Sequence, residues 1–154
     1  VSGRLLGIDL GDRRIGLAIG EPDSGHVRPL STIRRTATPA GDAHAVRRAI
    51  EGIRVTEIIC GLPLEANGSE GSQARATRAW SEAFAPAIGL PLALRDERLT
   101  THVAESRAPK PRRGRSGGPP TRAQREGRRA LIDRLSAAVI LEDELAARRA
   151  EGSA

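Results

Sequence analysis

Three carboxylate positions stand where a purely structural role is hard to assign. Asp9 ends the apolar run Arg4-Leu-Leu-Gly-Ile-Asp9, and a buried ionised carboxylate is expensive without a partner or a cation. The pair Asp96-Glu97 follows a second short apolar stretch, Leu90 to Leu94. Asp133 belongs to the last amphipathic segment, on a face that carries Ser136, Ala137 and Ile140. Its small neighbours would let that turn approach a sheet closely. Carboxylates gathered from separate elements, with no His or Cys beside them, make a hard, oxygen-only site of the kind that Mg²⁺ or Mn²⁺ prefers. Two such ions about 4 Å apart clamp the attacking water and the leaving oxygen in phosphodiester hydrolysis. Each acid also has a plainer role available: a turn cap for Asp9, an ion pair with Arg95 or Arg98 for Glu97, an exposed helix position for Asp133.

The elements that must position these acids follow from the patterning. Arg4 to Asp9 and Arg14 to Gly20 read as two antiparallel strands around a Gly11-Asp12 turn, and Val27 to Ile33 as a third whose Pro29 favours an edge. After the break at Pro39-Ala-Gly-Asp42, helical spacing of Ala43, Val46, Ile50 and Ile53 leads into a buried strand, Val55 to Cys60. A helix over about Gly71 to Ala85 carries Trp80 and Phe84 on one face, as core. The strand Leu90 to Leu94 and a short helix capped by Thr100 or Thr101 and running through Glu105 come next. The last helix, about Ala123 to Arg149, has Leu131, Leu135, Ala138, Leu141 and Leu145 in its apolar stripe. The order βββ-α-β-α-β-α-loop-α predicts an α/β fold with a mixed sheet and helices on its faces. If the first, fourth and fifth strands run parallel, Asp9 and the Asp96-Glu97 pair share the carboxyl edge, where such sheets bind ligands.

A chain of 154 residues with one cysteine and no long apolar run fits one domain and excludes a two-lobed fold, a disulfide framework, a membrane span and a secretory leader. A cytoplasmic protein without membrane contact is expected. Its formal charge of +6 is unevenly spread, because residues 107–129 carry nine basic residues against Glu126 alone, leaving the remainder slightly acidic. Within that segment, prolines and glycines over about 108–122 predict a flexible basic loop. Arg112, Arg113, Arg115, Arg122 and Arg125 are expected to grip a nucleic-acid backbone, with a solvated linker as the alternative. A single domain over 1–150 and a disordered tail over 151–154 complete the expected organisation. The spacing of Gly11 and Gly16 resembles a phosphate loop but lacks its Lys-Ser/Thr, and a tight hairpin accounts for both glycines. Cys60 reads as core, and His26, His44 and His102 as surface or capping residues, with an approach of His102, five residues after Glu97, to the acids as the lesser alternative.

Gly7-Ile-Asp-Leu-Gly11 with Arg14-Ile-Gly16, Ile58-Ile-Cys-Gly-Leu-Pro63 with Asn67-Gly68, Asp96-Glu-Arg-Leu-Thr-Thr101 and Ile132-Asp133-Arg-Leu-Ser-Ala-Ala-Val-Ile-Leu141 together resemble the YqgF family. These motifs occur in order over about residues 4 to 145. The family consists of small bacterial nucleases of the ribonuclease H-like superfamily, described both as Holliday junction resolvases and as nucleases maturing the 5′ end of pre-16S ribosomal RNA. The resemblance implies a five-stranded sheet in the order 3-2-1-4-5 and an acidic site at Asp9, Glu97 and Asp133, with Asp96 as a further candidate ligand. It implies an Mg²⁺- or Mn²⁺-dependent hydrolase acting on precursor rRNA, in contact with ribosomal particles, or alternatively on branched DNA. This chain departs from the family pattern in the Gly-, Pro- and Arg-rich stretch before Asp133. Two other classes remain open from the residues alone: a non-catalytic RNA- or ribosome-binding module, and an actin-like ATPase, which the chain length opposes.

Overall fold

The computed structural model describes residues 3–97, 100–110, 113–114 and 117–152. Its elements are β1 (Arg4–Leu10), β2 (Arg14–Gly20), β3 (Val27–Arg34), α1 (Pro39–Ala49), β4 (Val55–Leu62), α2 (Ser72–Ile88), β5 (Leu92–Asp96), α3 (Thr100–Arg107) and α4 (Arg122–Gly152). The strands form one sheet in the order β3-β2-β1-β4-β5, the expected one. β1, β2 and β3 make an antiparallel meander, while β4 and β5 add parallel to β1.

Strand alternation divides the sheet between two layers of helices. Leu6 and Ile8 of β1, Ile15, Leu17 and Ile19 of β2, and Ile58 and Cys60 of β4 pack with Val46 of α1 and with Trp80, Phe84 and Ile88 of α2. The intervening residues, Leu5, Ala18 and Ile59, pack instead against Ala137, Ala138, Ile140, Leu141 and Leu145 of α4. The rings of Trp80 and Phe84 stack in the first core with centroids 4.2 Å apart. Trp80 Nε1 donates to Asp42 Oδ2 over 2.9 Å, and Asp42 Oδ1 accepts from Thr36 N over 2.7 Å. Asp42 is therefore a buried carboxylate with a complete set of partners and a structural role.

Several boundaries differ from the sequence expectation for local physical reasons. The stretch read as a break at residues 39–42 is the first turn of α1: Thr38 caps it, accepting from Gly41 N over 3.0 Å, and Pro39 occupies a position where its missing N–H costs nothing. α2 passes through Pro86, whose unpaired acceptor Glu82 lies on the solvent side, and ends at Gly89 in the left-handed conformation. β5 is shifted two residues forward, and Glu97 N still donates to Leu62 O over 3.2 Å. α4 runs to Gly152, so Glu151 and Gly152 of the expected tail are helical, and residues 153–154 lie outside the described residues. So do the side chains of Thr100 and Thr101, the expected caps of α3.

Candidate active site

The division of faces decides which acids meet. Leu5, Gly7 and Asp9 alternate on the α4 side of β1, and Ala93, Arg95 and Glu97 do so along β5 and its extension. Asp96 therefore points to the other face, where it is exposed. Gly61 on the intervening β4 lacks the side chain that would collide with the Glu97 carboxylate and, at 2.6 Å, with Ile140 Cδ1. Glu97 thus crosses β4 to reach Asp9, and the two carboxyls share a hydrogen bond.

Asp133 arrives from α4, and its approach is set by the sheet more than by the helix. A Cβ at Gly16 would overlap the Asp133 carbonyl, and one at Gly7 would lie 2.7 Å from the Ala137 carbonyl. Gly16 lies within β2 with an ordinary φ, so the hairpin does not account for it: its missing side chain is what admits α4. The small α4 residues contribute as expected, with Ser136 and Ala137 buried. Asp133 is not the exposed helix residue of the plainer alternative, since its side chain is 20% exposed and Arg14 Nε donates to its Oδ2 over 2.6 Å. Nor does Glu97 pair with Arg95, which is taken by Glu144 over 2.5 Å; Arg98 lies outside the described residues.

Asp9, Glu97 and Asp133 line one cleft of about 400 Å³ with Asp12, Arg35 and Thr77. Burial, with the charge of Asp133, raises the Asp9 carboxyl to about 6 despite the opposing hydrogen bond from Glu97. Burial, then the charge and hydrogen bond of Asp9 and the charge of Asp96, raises Glu97 to about 9. At neutral pH the pair holds one proton between its carboxyls. No group of three His, Cys, Asp or Glu among the described residues closes on a common point: Asp9 and Glu97 meet, while Arg14 holds Asp133.

The remaining expectations sort cleanly. Arg113 and Arg125 are exposed, donating to Gly117 O over 3.3 Å and to Pro120 O over 2.6 Å, and Arg122 pairs with Glu126 over 3.0 Å. Arg112 and Arg115 lie outside the described residues. His102 is exposed on α3 and does not line the acidic cleft. Cys60 is buried core. Sequence reasoning missed Arg14 as the partner of Asp133. It also missed Gly61 as the gap for Glu97, although a glycine inside a strand is itself a signal of close approach.

A three-stranded antiparallel meander extended by two parallel strands, with acids at its carboxyl edge under a long helix, is a ribonuclease H-like arrangement. The same fold is found in T. thermophilus RuvC, solved in complex with a Holliday junction substrate, which superposes with a TM-score of 0.50 at 19% identity over 96% of each chain. The profile of the RuvX family, described as Holliday junction resolvase, matches residues 3–147, and the chain belongs to that family, for which YqgF is another name. A Roseiflexus sp. (strain RS-1) relative named "Putative pre-16S rRNA nuclease" is 36% identical over 96% of both chains. One from Anaeromyxobacter sp. (strain Fw109-5) with the same name is 44% identical over 68% of this chain and 75% of its own. The family is one of nucleases, hydrolases of phosphodiester bonds. No helix among the described residues is long and apolar enough to cross a membrane.

Proposed function

We propose that the protein is a divalent-cation-dependent nuclease that processes the 5′ end of pre-16S rRNA, with Asp9, Glu97 and Asp133 as its reaction centre. The observation that carries this reading is that these acids, from β1, the end of β5 and α4, all line one cleft. Their donor set is all oxygen and suits Mg²⁺ or Mn²⁺. The proton held between Asp9 and Glu97 fits the same assignment, because it supplies positive charge that two adjacent buried carboxylates otherwise lack. Asp9, Glu97 and Asp133 would hold the cation, and Asp96, on the opposite face, would not. When bound, a divalent cation supplies Lewis acidity toward the phosphoryl oxygens and the attacking water. The chain's own groups do the rest. Glu97 and Asp9 would release their shared proton to solvent and so become a full acceptor pair, and Arg14 fixes the orientation of Asp133 through Oδ2.

The names of the relatives favour rRNA. The family description favours a second reading, in which the same centre cuts branched DNA and the protein contacts no ribosomal particle. One preparation assayed with Mg²⁺ and with Mn²⁺ on a precursor rRNA fragment and a four-way junction separates the two. Cation-dependent cutting at the rRNA 5′ boundary is expected. Cutting of the junction alone selects the second reading, and RNA binding without any cutting returns the protein to the class of binding modules.

A further inference from the structure

A second cleft, of about 740 Å³, opens on the far side of Asp133, between the first half of α4 and the β1–β2 turn with the adjoining ends of β2 and β3. Gly11, Asp12 and Asp133 line both clefts, so the two are continuous. Arg13, Arg14, Arg34, Arg122 and Arg129 line the second cleft, outnumbering its acids, and they come from a turn, both strands and a helix. On α4 the positions 122, 126, 129 and 133 follow i,i+4 and i,i+3 spacing, so one helix face looks into this cleft along its length. From Arg122 to Asp133 that face extends about 16 Å.

The arginines differ in what already occupies them. Arg14 and Arg122 are paired with Asp133 and Glu126. The guanidinium groups of Arg13, Arg34 and Arg129 donate no hydrogen bond and close no ion pair among the described residues. Arg34 and Arg129 act only at longer range on Glu126, whose carboxyl is held below its usual range first by the hydrogen bond from Arg122. Arg113, Arg125 and Arg128, by contrast, donate to backbone carbonyls of Gly117, Pro120 and Pro109. The floor of the cleft is tied down, because Thr32 Oγ1 donates to the Ala130 carbonyl and accepts from Arg134 over 3.2 Å. Unspent guanidinium groups on a fixed floor are suited to a multiply charged anion.

We propose that this arginine cleft is the track for the phosphodiester backbone flanking the scissile bond, leading the strand over Asp133 into the acidic cleft. The proposal rests on the nuclease reading above and adds where the strand lies. Trp80 and Phe84, the chain's two aromatic residues, are both buried, so bases find no ring to stack on and the grip is on phosphate, independent of sequence.

The test uses the full chain carrying Asp9→Asn, in EDTA, with a fluorescein-labelled single-stranded RNA titrated at a series of salt concentrations. Replacing Arg13, Arg34 and Arg129 together by Ser is expected to flatten the slope of log K against log salt by up to about 0.7 per lost contact. Replacing Arg113 and Arg125 by Ser should leave the slope unchanged. An unchanged slope in the cleft variant, or an equal loss in the loop variant, would overturn the proposal. Binding in EDTA needs no turnover. A slope difference without any cutting by the unsubstituted protein would therefore remove the nuclease reading and leave the cleft as a nucleic-acid site.

Discussion

On the side of the sheet that faces α1 and α2, the strands present Leu6, Ile8, Ile15, Leu17, Ile19 and Ile58, all buried. On the side that faces α4 they present Gly7, Asp9, Gly16, Ala18, Gly20, Gly61 and Glu97. The first face fills volume, and its buried carboxylate, Asp42, is fully bonded. The second removes volume so that a helix backbone can descend onto the strands, and it assembles charge. Near the site the charge is unbalanced, as Asp9 and Glu97 share a proton. Farther along α4 it is balanced, where Arg95 and Arg148 clamp Glu144 and Arg148 reaches Glu57 over 2.8 Å. Burial alone would raise the Glu144 carboxyl, but the hydrogen bonds from both arginines outweigh it and hold the group below its usual range. Stability and chemistry are thus assigned to opposite faces of one sheet, and the reactive face forgoes the packing that the other supplies.

The division can be broken or sharpened from either side. Phe84→Ala, in the packed face, should cost about 3–5 kcal/mol in urea unfolding while cleavage per folded molecule stays unchanged. A fall in the folded fraction's rate would show that the faces are not independent. Gly16→Ala should cost less, about 1–3 kcal/mol, yet reduce cleavage about 10²-fold, because α4 must back away and take Asp133 with it. Thr32→Val keeps volume but removes the hydrogen bond to Ala130, so about 0.5–1.5 kcal/mol of stability should be lost, with a disproportionate rise in KM. The smallest effect concerns pH. Glu97 binds its proton more tightly folded than unfolded, so without metal its contribution to stability is present below about pH 4.5 and is lost as pH rises toward about 9. Thermal melting in EDTA should show this decline, Glu97→Gln should flatten it, and a variant with the same decline would assign it elsewhere.

The fold was legible because each strand announces itself by apolar runs and turn residues, and the topology followed from their order. Of the site, Asp9 and Asp133 were legible as candidates, each with a plainer role beside it and with nothing in the spacing to show that they meet. The choice between Asp96 and Glu97 was not open to composition, since it depends on the register of β5 against β4, which places Glu97 on the α4 face. The Arg14–Asp133 pair joins residues 119 apart in the chain, and no local pattern reports such a contact. The arginines that line the second cleft were not legible for a related reason. Arg13 and Arg34 lie outside the dense basic segment at 107–129, and the β1–β2 turn and the end of β3 carry them to the same cleft as Arg129.

Cleavage of precursor rRNA by Asp9→Asn, measured in Mg²⁺ beside the unsubstituted protein with matched circular dichroism, tests the central claim most directly. The substitution removes one buried carboxylate and leaves Gly7, Gly16 and Gly61, the features that admit α4 and Glu97, untouched. Loss of cutting with the fold retained is the predicted result. Undiminished cutting by a folded Asp9→Asn protein would contradict the assignment of the reaction to this face.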